Sequence, residues 1–179
     1  PDFRLAAISP FPTTQNNAVN VWSSLLRRGG NELVNVLALR REGFKEPIEV
    51  SVEGLPAGVT CPAVTIGPSQ NSAPLVLTAA ADAKAWAGPI RIVGKAASGD
   101  KQLVRQARAG AVVWPGGQNA PAESRLTQEF ALAVSGVEEA PFTVQVGDGK
   151  PLEMSRAGSI EVPVKVTRRG NFKGNVALA

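Results

Sequence analysis

The chain has 179 residues, a formal net charge of +4 and an apolar content of 44%, with no histidine and one cysteine. That inventory excludes an intrachain disulfide, a Cys–His pair, a histidine-based triad and the common zinc sets. No apolar run approaches the roughly 20 residues that a membrane-spanning helix needs, and no segment reads as a signal peptide.

Lysine and arginine are scattered among acidic residues, and the tightest groupings are the doublets Arg27-Arg28 and Arg40-Arg41. A nucleic-acid binder concentrates such charge on one face, so a solvated surface is expected here, with no nucleic acid as partner. Glycine (18) and proline (14) cut the chain into short runs, and none of these runs keeps a helical period. Many short strands separated by turns is the class that fits.

In chain order, an opening strand follows Pro1, and then the Pro-rich segment Ser9–Ala18, containing Phe11, interrupts the pattern. Val19–Leu25 alternates, with Trp22 on the face opposite Val19 and Val21. Leu33–Leu39 reads as a strand with Val34, Val36 and Ala38 inward. Arg41-Glu42-Gly43-Phe44 turns the chain into Ile48–Val52, where Ile48, Val50 and Val52 share a face. Gly54–Gly58 is a turn, since glycine permits positive φ and proline fixes it.

Val59–Ile66 is an extended run broken at Pro62, and Cys61 within it reads as a small buried hydrophobe. Ala73–Ala79 turns Leu75 and Leu77 inward, and Pro89–Ala96 does the same with Ile90 and Ile92. Ala85-Trp86-Ala87-Gly88, between them, reads as a turn that exposes Trp86. Ser98-Gly99-Asp100 closes a hairpin into a single run, Gln102–Trp114; Pro115–Ser124 is a loop; and Leu126–Val134 carries Phe130, Leu132 and Val134 inward.

The chain then begins to repeat itself. Arg28, Gly30, Val34, Val36, Arg40, Arg41, Phe44 and Lys45 recur, at one fixed offset, as Arg156, Gly158, Val162, Val164, Arg168, Arg169, Phe172 and Lys173. Internal repetition marks an array of like modules. Ala140–Val144 aligns with Pro1–Leu5, which divides the chain into a module at 1–138 and the first strands of a second at 139–179. In the second copy Ile160, Val162, Val164 and Val166 are expected inward, and Pro163 suits an edge strand or an N–H position without a neighbour. Gly147-Asp148-Gly149-Lys150 is read as a plain turn rather than a calcium loop. The absence of an initiator Met suggests a piece of a longer protein. Together these elements predict an all-β, immunoglobulin-like Greek-key β-sandwich, one complete module plus part of another.

Val52-Glu53-Gly54-Leu55-Pro56-Ala57-Gly58-Val59-Thr60, with Val64–Gln70 and Leu75–Ala83 after it, resembles tandem Ig-like modules of large exported bacterial proteins. These include proteins with bacterial pre-peptidase C-terminal domains, and the stretch is also similar to Ig-like domains appended to secreted α-galactosidases. The resemblance covers Asp2–Ala96 and Phe142–Ala179 and departs from the pattern at Trp86. It implies a spacer, adhesion or accessory domain outside the cytoplasm (periplasmic, cell-surface or secreted), without catalytic residues, metal or cofactor.

Two surfaces are candidates for contact. Leu33, Leu37 and Leu39 stand on the outward face of their strand, where the second copy has Glu161, Lys165 and Thr167. A solvated face does not choose three leucines. Either the Ser9–Ala18 segment folds over them through Phe11, the preferred reading, or a neighbouring module or partner chain does. Trp86 is the candidate glycan platform, by stacking of its indole on a sugar face, against Trp22 and Trp114 as core or junction residues. The incomplete second module is expected to be held against the first, or to pair through its open strand edges with outside residues, such as a neighbouring module or another chain.

Overall fold

The computed structural model describes residues 1–8, 24–114, 123–147 and 153–176. Phe11, Trp22, the whole Ser9–Ala18 segment and most of the loop placed at 115–124 lie outside the described residues. Among the described residues all fourteen regular elements are strands. They are β1 (Asp2–Ile8), β2 (Ser24–Arg28), β3 (Asn31–Arg41), β4 (Ile48–Glu53), β5 (Val59–Thr60), β6 (Val64–Ile66) and β7 (Ser72–Ala79). After them come β8 (Trp86–Ser98), β9 (Lys101–Gln106), β10 (Arg108–Trp114), β11 (Glu123–Thr127), β12 (Phe130–Glu139), β13 (Phe142–Val146) and β14 (Val164–Arg168).

Twelve of them form two facing sheets. The first has the order β11-β10-β1-β3-β7-β5; the second has β2-β12-β8-β4-β6, with β9 added to β8. Alternation puts Phe3, Leu5 and Ala7 of β1, Val34, Val36 and Ala38 of β3, and Leu75 and Leu77 of β7 on the inner face of the first sheet. Ile48 and Val50 of β4, Ile90 and Ile92 of β8, and Phe130, Leu132 and Val134 of β12 oppose them, and all are buried in one cluster. Burying each of these larger side chains stabilises by roughly 1.5–3 kcal/mol before entropy is set against it. The all-β sandwich is therefore what the alternation predicts, and the inward sets of β3, β4, β7 and β12 stand as read.

Two boundaries differ from expectation, for one reason: the chain changes sheet inside runs that read as continuous. The expected run Gln102–Trp114 is two strands in different sheets, β9 on β8 and β10 beside β1. Ala107 is the pivot, small, buried, and donating its N–H to the Ile92 carbonyl at 2.8 Å. Leu126–Val134 likewise splits into β11 in the first sheet and β12 in the second, which leaves Leu126 exposed while Phe130 is buried. The break expected at Pro62 is found, and residues 61–63 carry the chain there from β5 in the first sheet to β6 in the second. The sheets are also mixed, since β1 runs parallel to β10 and β2 runs parallel to β12.

One glycine sets the spacing of the layers. Gly94 of β8 lies on the inner face, where a Cβ would come within 2.5 Å of Leu5 Cδ1 and 3.0 Å of Ile48 Cγ2. At the rim, Arg40 of β3 reaches across to the other layer, donating from Nη1 to the Glu46 carbonyl (2.7 Å) and from Nη2 to the Gly67 carbonyl (2.7 Å).

Candidate functional site

The outer face of the first sheet is more apolar than the three leucines alone suggested. Leu39 is 53% exposed and Leu33 38%, while Leu37 is half-buried. Cross-strand register widens the patch. Leu33 pairs with the exposed Val76 of β7, and Leu37 pairs with Ala6 of β1. Beyond Ala6, Ile8 and Leu126 approach each other over Gly110, whose missing side chain leaves room for both. Arg4, opposite Leu39, and Arg108, opposite Ala6, edge the patch with positive charge. Ile8, Val76 and Leu126 were missed because the neighbours of β3 in its sheet, β1 and β7, and the parallel placing of β10 leave no local trace in the sequence.

Trp86 is not in a turn. It opens β8, pairs with Val134 of β12, is half-buried, and lays its indole over Gly88, where a Cβ would meet the ring at 2.7 Å. The ring also packs against the core cluster. The missing side chain at Gly88 makes space for it. Trp114 ends β10 opposite Glu123.

The polar features of the two-sheet body are structural contacts. Asp2 accepts from Arg105 Nε at 2.9 Å and from the Phe3 N–H at 2.7 Å, and these bonds, the Arg105 one foremost, hold its carboxyl below the usual range. Burial pushes the Cys61 thiol up, away from the thiolate that a nucleophile needs. A surface groove of about 470 Å³ lies between the end of β4 and the 128–129 crossing, and its Arg91 is paired with Glu53 at 3.0 Å. Among the described residues no three His, Cys, Asp or Glu side chains come together as a metal site, and no helix is long and apolar enough to cross a membrane.

The junction after β12 draws together residues that the sequence left apart. Arg27 bonds Glu138 at 2.6 Å and Arg28 bonds Glu139 at 3.2 Å. The Ala140 N–H donates to the Arg28 carbonyl at 2.9 Å, and the Arg169 guanidinium lies against Gly29.

Past the junction, β13 and β14 form a two-stranded sheet that copies the β1–β3 pair. Phe142 sits opposite Arg168 as Phe3 sits opposite Arg40, and Val144 opposite Val166 as Leu5 opposite Ala38. Phe142 and Phe172 stack at 5.7 Å where Phe3 and Phe44 meet at 5.3 Å. The Phe172 N–H returns to the Arg169 carbonyl as the Phe44 N–H returns to that of Arg41. Arg168 donates to the Gly174 carbonyl as Arg40 donates to that of Glu46. Glu42, forced to a φ of 53°, is replaced at the matching position by Gly170 at 55°. Burial does not follow the geometry: Ile160, Val162 and Val164, expected inward, are exposed, because among the described residues no second layer faces them.

No family model, curated protein or solved structure matches this chain. Its own two copies are thus the comparison that bears on its role.

Proposed function

We propose that the chain is a non-catalytic, immunoglobulin-like module joined to part of a second one, serving as a spacer or protein-interaction element of a larger exported bacterial protein. The observation that carries this reading is the repeated hairpin: the same register, aromatic pair, arginine contact and turn occur twice in one polypeptide. Repeating a structural unit extends reach and multiplies contact surface. Among the described residues the buried core cluster ends at Val134, so the hairpin adds no member to it.

Partner contact in this reading falls on the outer face around Leu33, Leu37 and Leu39, widened by Val76, Ile8 and Leu126. A carbohydrate-binding role is the weaker alternative. It would rest on Trp86, and the contact of that ring with Gly88 takes up surface a sugar would stack on.

The test is to remove residues 141–179 and compare urea unfolding with that of the full chain. The module reading expects residues 1–140 to unfold cooperatively with an unchanged midpoint. Loss of cooperative folding in the shortened chain would overturn it, because the hairpin would then belong to a single body.

A further inference from the structure

We propose that the edge of β14 left open among the described residues, extended back through residues 159–163, is a docking site for one extended strand of a partner polypeptide. That strand runs antiparallel to β14 and carries aliphatic residues at alternate positions, in the pattern of β7. The proposal rests on the reading of 142–176 as a second copy and names the contact through which that copy is completed.

The argument begins with a difference in length. β3 spans Asn31–Arg41, whereas its counterpart β14 spans only Val164–Arg168. In the first copy, β1 pairs with residues 35–41 of β3, and β7 pairs with residues 31–37. Residues 31–34 are therefore extended on account of β7 alone. In the second copy β13 pairs with residues 164–168, close to the β1 counterpart, and residues 159–163 have no strand structure. What is short in β14 is the part that β7 organises in β3.

Backbone direction agrees. The Gly147 N–H donates to the Pro163 carbonyl at 2.8 Å, and the Arg169 N–H donates to the Pro141 carbonyl at 2.8 Å. A strand residue points its N–H and C=O to the same side and alternates with its neighbours, so residues 163, 165, 167 and 169 face β13. The N–H groups of Val162, Val164 and Val166 then point to the open edge. The same parity holds in the first copy, where the Ala38 N–H donates across to the Asn71 carbonyl on the β7 side at 2.8 Å. Pro163 thus lacks its donor on the β13 side, just past the last strand pair, and leaves the docking edge unbroken.

The side chains state what the partner must offer. β7 sets Leu75 opposite Val34 and Ala73 opposite Val36; the corresponding acceptors are Val162 and Val164, both exposed. Strand addition of this kind takes affinity from the backbone and selectivity from alternate side chains.

The experiment adds a synthetic peptide with the β7 sequence, Ser-Ala-Pro-Leu-Val-Leu-Thr-Ala, to the full chain and follows amide exchange by NMR. The amides of Val162 and Val164 should slow by about tenfold or more. N-methylation of the peptide at the Leu75 position, which faces β3 in the native pair, should abolish the effect, and N-methylation at the Val76 position should not. No slowing, equal behaviour of the two methylated peptides, or slowing that grows with chain concentration without peptide would each overturn the proposal; the last would give the edge to a second copy. A cross-strand contact between the α-protons of Val144 and Val166 is read in the same sample. If that contact is present and the edge does not respond, the docking proposal alone fails; if it is absent, the second-copy reading fails with it.

Discussion

Gly94 shows how one missing side chain governs the distance between two layers. Its position on the inner face of β8 lets Leu5 and Phe3 of the opposite sheet approach the backbone, and a methyl group there would meet Leu5, Ile48 and Phe3 together. Gly94→Ala should therefore destabilise the protein by about 1–3 kcal/mol, the usual cost of overpacking, as read from chemical denaturation. An unchanged midpoint would mean that the sheets can part at this point. Asp2 provides a second residue-scale test. Its carboxyl is held below its ordinary value of 3.8, by the Arg105 hydrogen bond first and the Phe3 N–H second. The folded state therefore favours the charged form, so this group's stabilisation is full above the unfolded value and fades as pH falls through the lower folded value. NMR titration should place the Asp2 midpoint below 3.8 and Arg105→Gln should raise it.

Among the elements, β3 and β14 hold matching places in the repeat and have unlike surroundings. β3 lies between β1 and β7 with its inner face against the second sheet, while among the described residues β14 has one neighbour and no opposing layer. An isolated two-stranded ribbon is marginal in water. Hydrogen exchange should accordingly find the β3 amides of Val34 and Val36 among the slowest, and those of Val162 and Val164 faster by several orders of magnitude. Comparable rates would mean that the hairpin is buried in solution. The alternation of β3, β4 and β7 was legible because each strand stays in one sheet and shows one face to the core. The splits at Ala107 and at 128–129 were not, since a change of sheet leaves hydrophobic spacing almost undisturbed. The Leu33, Leu37 and Leu39 face could be read from the contrast between copies, whereas Ile8, Val76 and Leu126 join it only through pairing with distant strands. Trp86 was misplaced because Gly88 resembles a turn residue in sequence, although in the fold it clears space for the indole.

At the scale of the whole molecule, the repeat was the strongest signal available, and the hairpin register reproduces the offset read from eight identities. The parallel pairings of β1 with β10 and β2 with β12 had no such signal, because they join segments about a hundred residues apart. Removal of residues 141–179 belongs to this scale: the two-sheet body keeps its core cluster entire, so its unfolding free energy should change by no more than about 1 kcal/mol.

From β1 to β12 the polypeptide passes between the two sheets at nine of its eleven connections. Neither layer can be completed before most of the other has been synthesised, and neither can be peeled away while its mate persists. Such lacing makes closure of long loops the slow step, which places refolding in the millisecond-to-second range typical of β-rich topologies. A nascent chain halted before β12 would still lack the strand that bridges β2 and β8, and would expose the edges of both to their neighbours on the ribosome.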